Sequence, residues 1–157
     1  RDIFIDLGMF DKFDQYFNDL YEYFANEAWD VYPDTIPTLK RLKDIGFNVV
    51  ITSNFDSRIY DVCKKFEINQ FVDHFTISSE SGYSKPDKEL FYLSLKKVQA
   101  KTFESIHVGD NYNLDYVPST EIGMKSILID RGNEFDKEID ICISRDFSKI
   151  FEVINES

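Results

Sequence analysis

Two aspartates five positions apart, Asp110 and Asp115, follow the short apolar run Ile106-His107-Val108-Gly109. A buried strand ending on Gly-Asp would deliver one carboxylate at its carboxyl end, and the loop or helix start beyond would bring the second. Two hard oxygen donors at the edge of an α/β sheet suit a Mg²⁺ ion. The same spacing also suits a plain Asp-rich turn, because aspartate accepts hydrogen bonds from nearby backbone. Two other groups could join this chemistry. Ser53 ends the run Val49-Val50-Ile51-Thr52, and Lys85 opens Lys85-Pro86-Asp87. Each has a structural alternative: the serine as a turn or cap residue, the lysine as a solvated charge ahead of a helix start.

The elements that must position these groups are legible from periodicity. Phe13, Phe17, Leu20 and Phe24 recur at helical spacing and predict an amphipathic helix from Asp11 to about Asn26, packed on a neighbouring helix. Ile3, Phe4, Leu7 and Phe10 fit a further helix stopped at Gly8, with the strand Ile3-Phe4-Ile5 as the rival reading. After Tyr32-Pro33, Asp34 or Thr35 can cap a helix that Gly46 closes. The β-branched run at 47–51 reads as a buried parallel strand. Asp56 or Ser57 can cap the helix carrying Ile59, Val62, Cys63 and Phe66 inward. A short strand at 75–77, a helix with Leu90, Phe91, Leu95 and Val98 inward, a strand at 105–109 and a helix to about Ile122 follow. Residues 126–129 and 139–143 complete the strand candidates, and Asp146 can cap a last helix. Strands alternating with helices at this spacing predict βαβ units and a mostly parallel sheet. In such sheets the loops at the carboxyl ends of the strands form the site, and Ser53 and Asp110 both fall there.

Composition sets the limits. A chain of 157 residues, 43% hydrophobic and 30% charged, is sized for one globular domain with a buried core. A net charge of -11 makes nucleic acid or an anionic membrane a poor partner. It also means that a phosphorylated substrate would need local positive charge. No apolar run is long enough to span a membrane. Cys63 and Cys142 fit no metal or redox spacing, so reduced thiols in a cytoplasmic protein are expected.

Taken in order, Val49-Val50-Ile51-Thr52-Ser53-Asn54, Lys85-Pro86-Asp87 and Gly109-Asp110 with Asp115 resemble the second, third and fourth motifs of the haloacid dehalogenase-like hydrolase superfamily. The resemblance covers roughly residues 10–131. It implies a Rossmann-like three-layer α/β sandwich with a mostly parallel sheet, and a Mg²⁺-dependent phosphatase acting on a small phosphomonoester, with dehalogenation or another phosphoryl transfer as alternatives. By position it implies Mg²⁺ ligation by Asp110, and binding or orientation of the metal and its waters by Asp115. It further implies a hydrogen bond from Ser53 to the transferring phosphoryl group, charge neutralisation by Lys85, and polar contacts from Asn54 and Asn111. Lys85 would supply the local positive charge.

The first motif of that superfamily, a DxD that provides the nucleophile, is not found before Ser53. The nearest match is Ile3-Phe4-Ile5-Asp6-Leu7-Gly8, with Asp6 as nucleophile and Gly8 in place of the second aspartate. The preferred reading makes residues 1–31 the closing part of a helical cap and 32–157 a core domain lacking its first strand. On that reading, and because Arg1 opens the chain, the nucleophile strand is expected upstream of Arg1 and this chain alone is expected to be inactive. A non-catalytic binding or regulatory domain is the second reading. In the family the missing strand lies between those ending at Ser53 and Asp110. Without it those two must pair directly, leave a groove, or be bridged by another segment, and an open groove invites self-association.

Overall fold

The computed structural model describes residues 12–26, 29–135 and 141–155. The stretch Ile3–Gly8, with its competing readings, lies outside them. Helix α1 (Phe13–Asn26) matches the aromatic periodicity and packs beside α3 (Arg58–Lys65). Part of its stripe stays open to solvent, with Phe17 52% and Leu20 39% exposed. The chain then runs through α2 (Thr35–Asp44), β1 (Val50–Ser53), α3, β2 (His74–Ile77) and the single turn α4 (Ser78–Ser81). It continues as α5 (Lys88–Lys97), β3 (Ile106–Gly109), a wide π-helical turn (Tyr112–Tyr116), α6 (Val117–Glu121), β4 (Lys125–Ile129), β5 (Ile143–Ser144) and α7 (Ser148–Asn155).

This is the mixed α/β architecture with parallel strands that the alternating pattern predicts. The strands form two groups: β1 pairs in parallel with β2, and β3, β4 and β5 pair in parallel in that order. Among the described residues β1 and β3 do not pair. Burial records the same division. Thr76 and Ile77 in β2 and Ile127, Leu128 and Ile129 in β4 are buried, whereas every residue of β1 and β3 is only half-buried. An inner strand of a parallel sheet is normally covered on both faces and both edges; among the described residues β1 and β3 each have a ladder partner on one edge alone. They are bridged instead: α5 ties them from one face, with Ser94 and Thr52 sharing a hydroxyl hydrogen bond of 2.7 Å and Phe91 meeting the His107 ring edge-on at 5.0 Å.

Alternation along β3 assigns its two faces. Ile106 and Val108 join Ile127, Ile129 and Ile150 in the core cluster, with Leu42 of α2 and Phe147 and Val153 packed against it. His107 and Gly109 therefore face the other way, toward α5 and the turn that carries Asp115.

Two expected caps are used differently. Asp34 occupies the cap position of α2, yet its side chain makes no cap hydrogen bond. It accepts two 3.0 Å bonds from Arg131 Nη2 and one from the Phe147 amide, because a charged partner outcompetes a local amide. Arg131 also lies over the Tyr32 ring at 3.9 Å, so the segment entering α2 is pinned to the end of β4. Before α3, Ser57 holds the cap position without capping, and Asp56 Oδ1 takes the Arg58 amide instead. Asp146 does cap, accepting from the Ser148 amide at 2.9 Å. Cys63 and Cys142 are free thiols, and burial pushes the Cys63 thiol up to about 11. Among the described residues no helix is long and apolar enough to cross a membrane.

Candidate active site

Three of the sequence motifs converge at the carboxyl ends of β1 and β3 through direct bonds. Ser53 ends β1, and Asn54 beyond it holds the backbone of Lys85 on both sides. The Lys85 amide donates to Asn54 Oδ1 at 2.6 Å, and Asn54 Nδ2 donates to the Lys85 carbonyl at 2.8 Å. The paired bonds mimic a strand–strand contact and set where the lysine side chain starts. Its Nζ then crosses to Asp115 Oδ1 at 2.6 Å.

Asp115 is the buried centre of this arrangement, with its side chain 3% exposed against 14% for Lys85. Its Oδ1 takes a second bond, 2.9 Å, from His107 Nε2, and its Oδ2 accepts the Asn111 amide at 3.2 Å. Burial works against the charged carboxyl here. The hydrogen bonds from His107 and Lys85 and their charge outweigh it, holding Asp115 below the usual carboxylate range. With the carboxylate ionised and acceptor-only, His107 Nε2 carries the proton.

The loop is built for this placement. Asn111 Oδ1 accepts the Leu114 amide, starting the wide turn, and the Asp115 amide returns to the Asn111 carbonyl at 2.8 Å. Buried Ser119 donates to the Asp115 carbonyl at 2.5 Å and meets Ser126 of β4 at 2.7 Å. Wide turns of this kind are concentrated at functional sites. Gly109 has its own reason to be glycine. A Cβ there would overlap the Asp115 side chain, coming within 2.7 Å of Oδ1 and closer still to its carbons.

Asp110 follows Gly109 and is exposed. It borders a cavity of about 400 Å³ walled by Tyr32, Arg131, Phe135 and Phe147. On the β1 side, the loop beyond Ser53 supports α1: Trp29 meets Phe55 edge-on at 5.4 Å, and the Arg58 guanidinium lies between the Phe55 and Tyr21 rings.

Of the site residues expected from sequence, Asn54, Lys85 and Asp115 are bonded together, while Ser53 ends β1 and Asp110 follows the end of β3. His107, expected to be only a structural strand residue, is the one missed. Its signal was the strand period, which places it on the same face as Gly109 and therefore on Asp115.

The metal these donors could hold is Mg²⁺. That ion commonly takes one or two carboxylates, with waters and phosphate oxygens filling the remaining positions. Asp110 fits as a carboxylate ligand. Asp115, with both oxygens engaged, fits as an orienting group, and the described residues hold no cluster of three or more acidic, His or Cys side chains arranged for a metal. The set fits Mg²⁺ as a site completed by other ligands.

This architecture, with a lysine and an acidic loop facing each other at strand ends, is that of the haloacid dehalogenase-like hydrolases, and the chain belongs to that family: the family's model matches residues 5–117. It is 29% identical over 144 residues to haloacid dehalogenase-like hydrolase domain-containing protein 3 of Danio rerio, covering 90% of this chain and 60% of that protein. It is 36% identical over 110 residues to a glyceraldehyde 3-phosphate phosphatase of Methanocaldococcus jannaschii, covering 69% of this chain and 48% of that protein. The chain thus spans about half the length of these relatives. A HAD phosphatase structure from Thermococcus onnurineus superposes with a TM-score of 0.75 at 22% identity, covering 80% of this chain and 58% of that one, which shows the shared fold.

Proposed function

We propose that this chain carries the charge-neutralising and metal-binding part of a Mg²⁺-dependent phosphatase for a small phosphomonoester. The observation that carries the reading is the ion pair between Lys85 and buried Asp115, held to the end of β1 by Asn54. A part-buried ammonium with one hydrogen bond to a carboxylate keeps two further donors for the equatorial oxygens of a phosphoryl group. Ser53, at the neighbouring strand end, would donate to the same group. Mg²⁺, when bound at Asp110, would neutralise developing negative charge. Named phosphatases among the relatives support the substrate class, glyceraldehyde 3-phosphate and ribulose-1,5-bisphosphate being the substrates in their names. Two free thiols, one buried, suit a cytoplasmic setting.

Asp115 is buried with both oxygens hydrogen-bonded, and this reading uses Ser53, Lys85 and Asp110 as donors or ligand, so it takes the attacking group from another residue. We therefore assign residues 1–31 to a helical cap and 32–157 to a core whose nucleophile comes from a strand entering beside β1 and β3. That β1 and β3 do not pair among the described residues supports this, and their unpaired edges would also be the surface through which two copies associate. The test is Mg²⁺-dependent hydrolysis of a phosphomonoester by the chain as it stands. The reading predicts no turnover. Turnover abolished by Asp6→Asn would place the nucleophile at Asp6 and overturn the cap assignment.

A further inference from the structure

We infer that His107 is a positioning residue of this site, setting the Lys85 ammonium through the oxygen they share on Asp115. The inference rests on the phosphoryl-binding reading of Lys85. Both donors converge on Asp115 Oδ1, Lys85 Nζ at 2.6 Å and His107 Nε2 at 2.9 Å, while Oδ2 is held by the Asn111 amide at 3.2 Å. A carboxylate held at one oxygen can still swing the other about its last torsion. With His107 bonded as well, Oδ1 is fixed from a second direction, and the lysine has one place to go. The histidine is itself held: its side chain is 11% exposed, it stands on β3, and Phe91 of α5 lies against the ring edge-on at 5.0 Å. Strand and helix both hold it, whereas Lys85 reaches Asp115 on a flexible four-carbon stem.

Packing on Phe91 and donation to Asp115 are separable by substitution. His107→Gln keeps an Nε2 donor at comparable reach and gives up the ring. His107→Phe keeps a ring against Phe91 and gives up the donor. Two readouts apply to each variant: the side-chain ammonium signal of Lys85 by ¹⁵N NMR, assigned by its loss in Lys85→Met, and the affinity for inorganic phosphate in the presence of Mg²⁺. Circular dichroism and cooperative unfolding establish that each variant is folded, and His107→Leu replaces the Phe variant if that one is not. The expected result is a Lys85 signal kept in His107→Gln and exchange-broadened in His107→Phe. Phosphate affinity should stay within about twofold in the first and fall about tenfold in the second, the scale of one charged hydrogen bond. Wild-type behaviour of His107→Phe, or equal loss in both variants, would overturn the inference and leave His107 a packing residue. Unchanged phosphate binding in Lys85→Met would instead overturn the phosphoryl-binding reading, and the inference with it.

Discussion

The side chain of Asp115 occupies the space that a Cβ on Gly109 would need. The glycine at the end of β3 and the aspartate six residues later are thus one structural unit, and the space that Gly109 leaves lets a carboxylate sit buried beneath the strand end with three donors around it. Gly109→Ala should cost about 1–3 kcal/mol through overpacking and loosen the Lys85 pair as the carboxylate moves. Urea denaturation measures it; a loss below about 0.5 kcal/mol would mean the loop relaxes freely.

Removing the ammonium should be costly. Lys85→Met leaves a buried carboxylate with only His107 and the Asn111 amide, and because the lysine itself is part-buried the expected cost is about 3 kcal/mol, the low end for breaking a buried pair. Lys85→Met combined with Asp115→Asn should recover part of that loss, because no uncompensated charge remains. The double-mutant cycle in urea checks this, and additive losses would contradict direct coupling.

Asn54→Ala removes both bonds to the Lys85 backbone. These bonds are exposed, so about 1 kcal/mol or less is expected, concentrated in the segment 84–87. Hydrogen exchange should show the Lys85 amide losing protection while the amides of β4 keep theirs.

Acid should loosen the attachment of α2 to the end of β4. Burial disfavours the charged form of Asp34, but hydrogen bonds from Arg131 and the Phe147 amide prevail and hold its carboxyl below the ordinary value. A lowered folded value means the carboxylate's contribution is full above the unfolded carboxylate range near 3.9. It is lost as pH falls through that value toward the lower folded one. The stability gap between wild type and Asp34→Asn should therefore be largest near neutral pH and shrink toward about pH 3. A gap constant across that range would contradict the pairing.

Much of this was legible in the sequence because it is local. The 3.6-residue and two-residue periods located α1, α5, β3 and β4, and the order of Ser53, Lys85 and Asp110 pointed to strand ends. What was not legible depends on contacts far apart in the chain. Asp34 has the identity of a cap, and only the fold brings Arg131 close enough to take its carboxylate. His107 had no partner at sequence range; it gains one because a glycine two residues on opens the space for Asp115. The run at 47–51 predicted a strand starting before β1, since apolar runs report burial and the ladder begins only where a neighbouring strand is in reach; of the run at 139–143, the first two positions lie outside the described residues and β5 starts at Ile143.

The central claim is that Lys85 and Asp110 form an anion and metal site at the ends of β1 and β3. Calorimetric titration of inorganic phosphate into the chain, with and without Mg²⁺, tests it most directly. Binding should require Mg²⁺ and weaken at least about tenfold in both Asp110→Asn and Lys85→Met, the scale of one lost charged contact. Phosphate binding that is indifferent to Mg²⁺ and to both substitutions would contradict it.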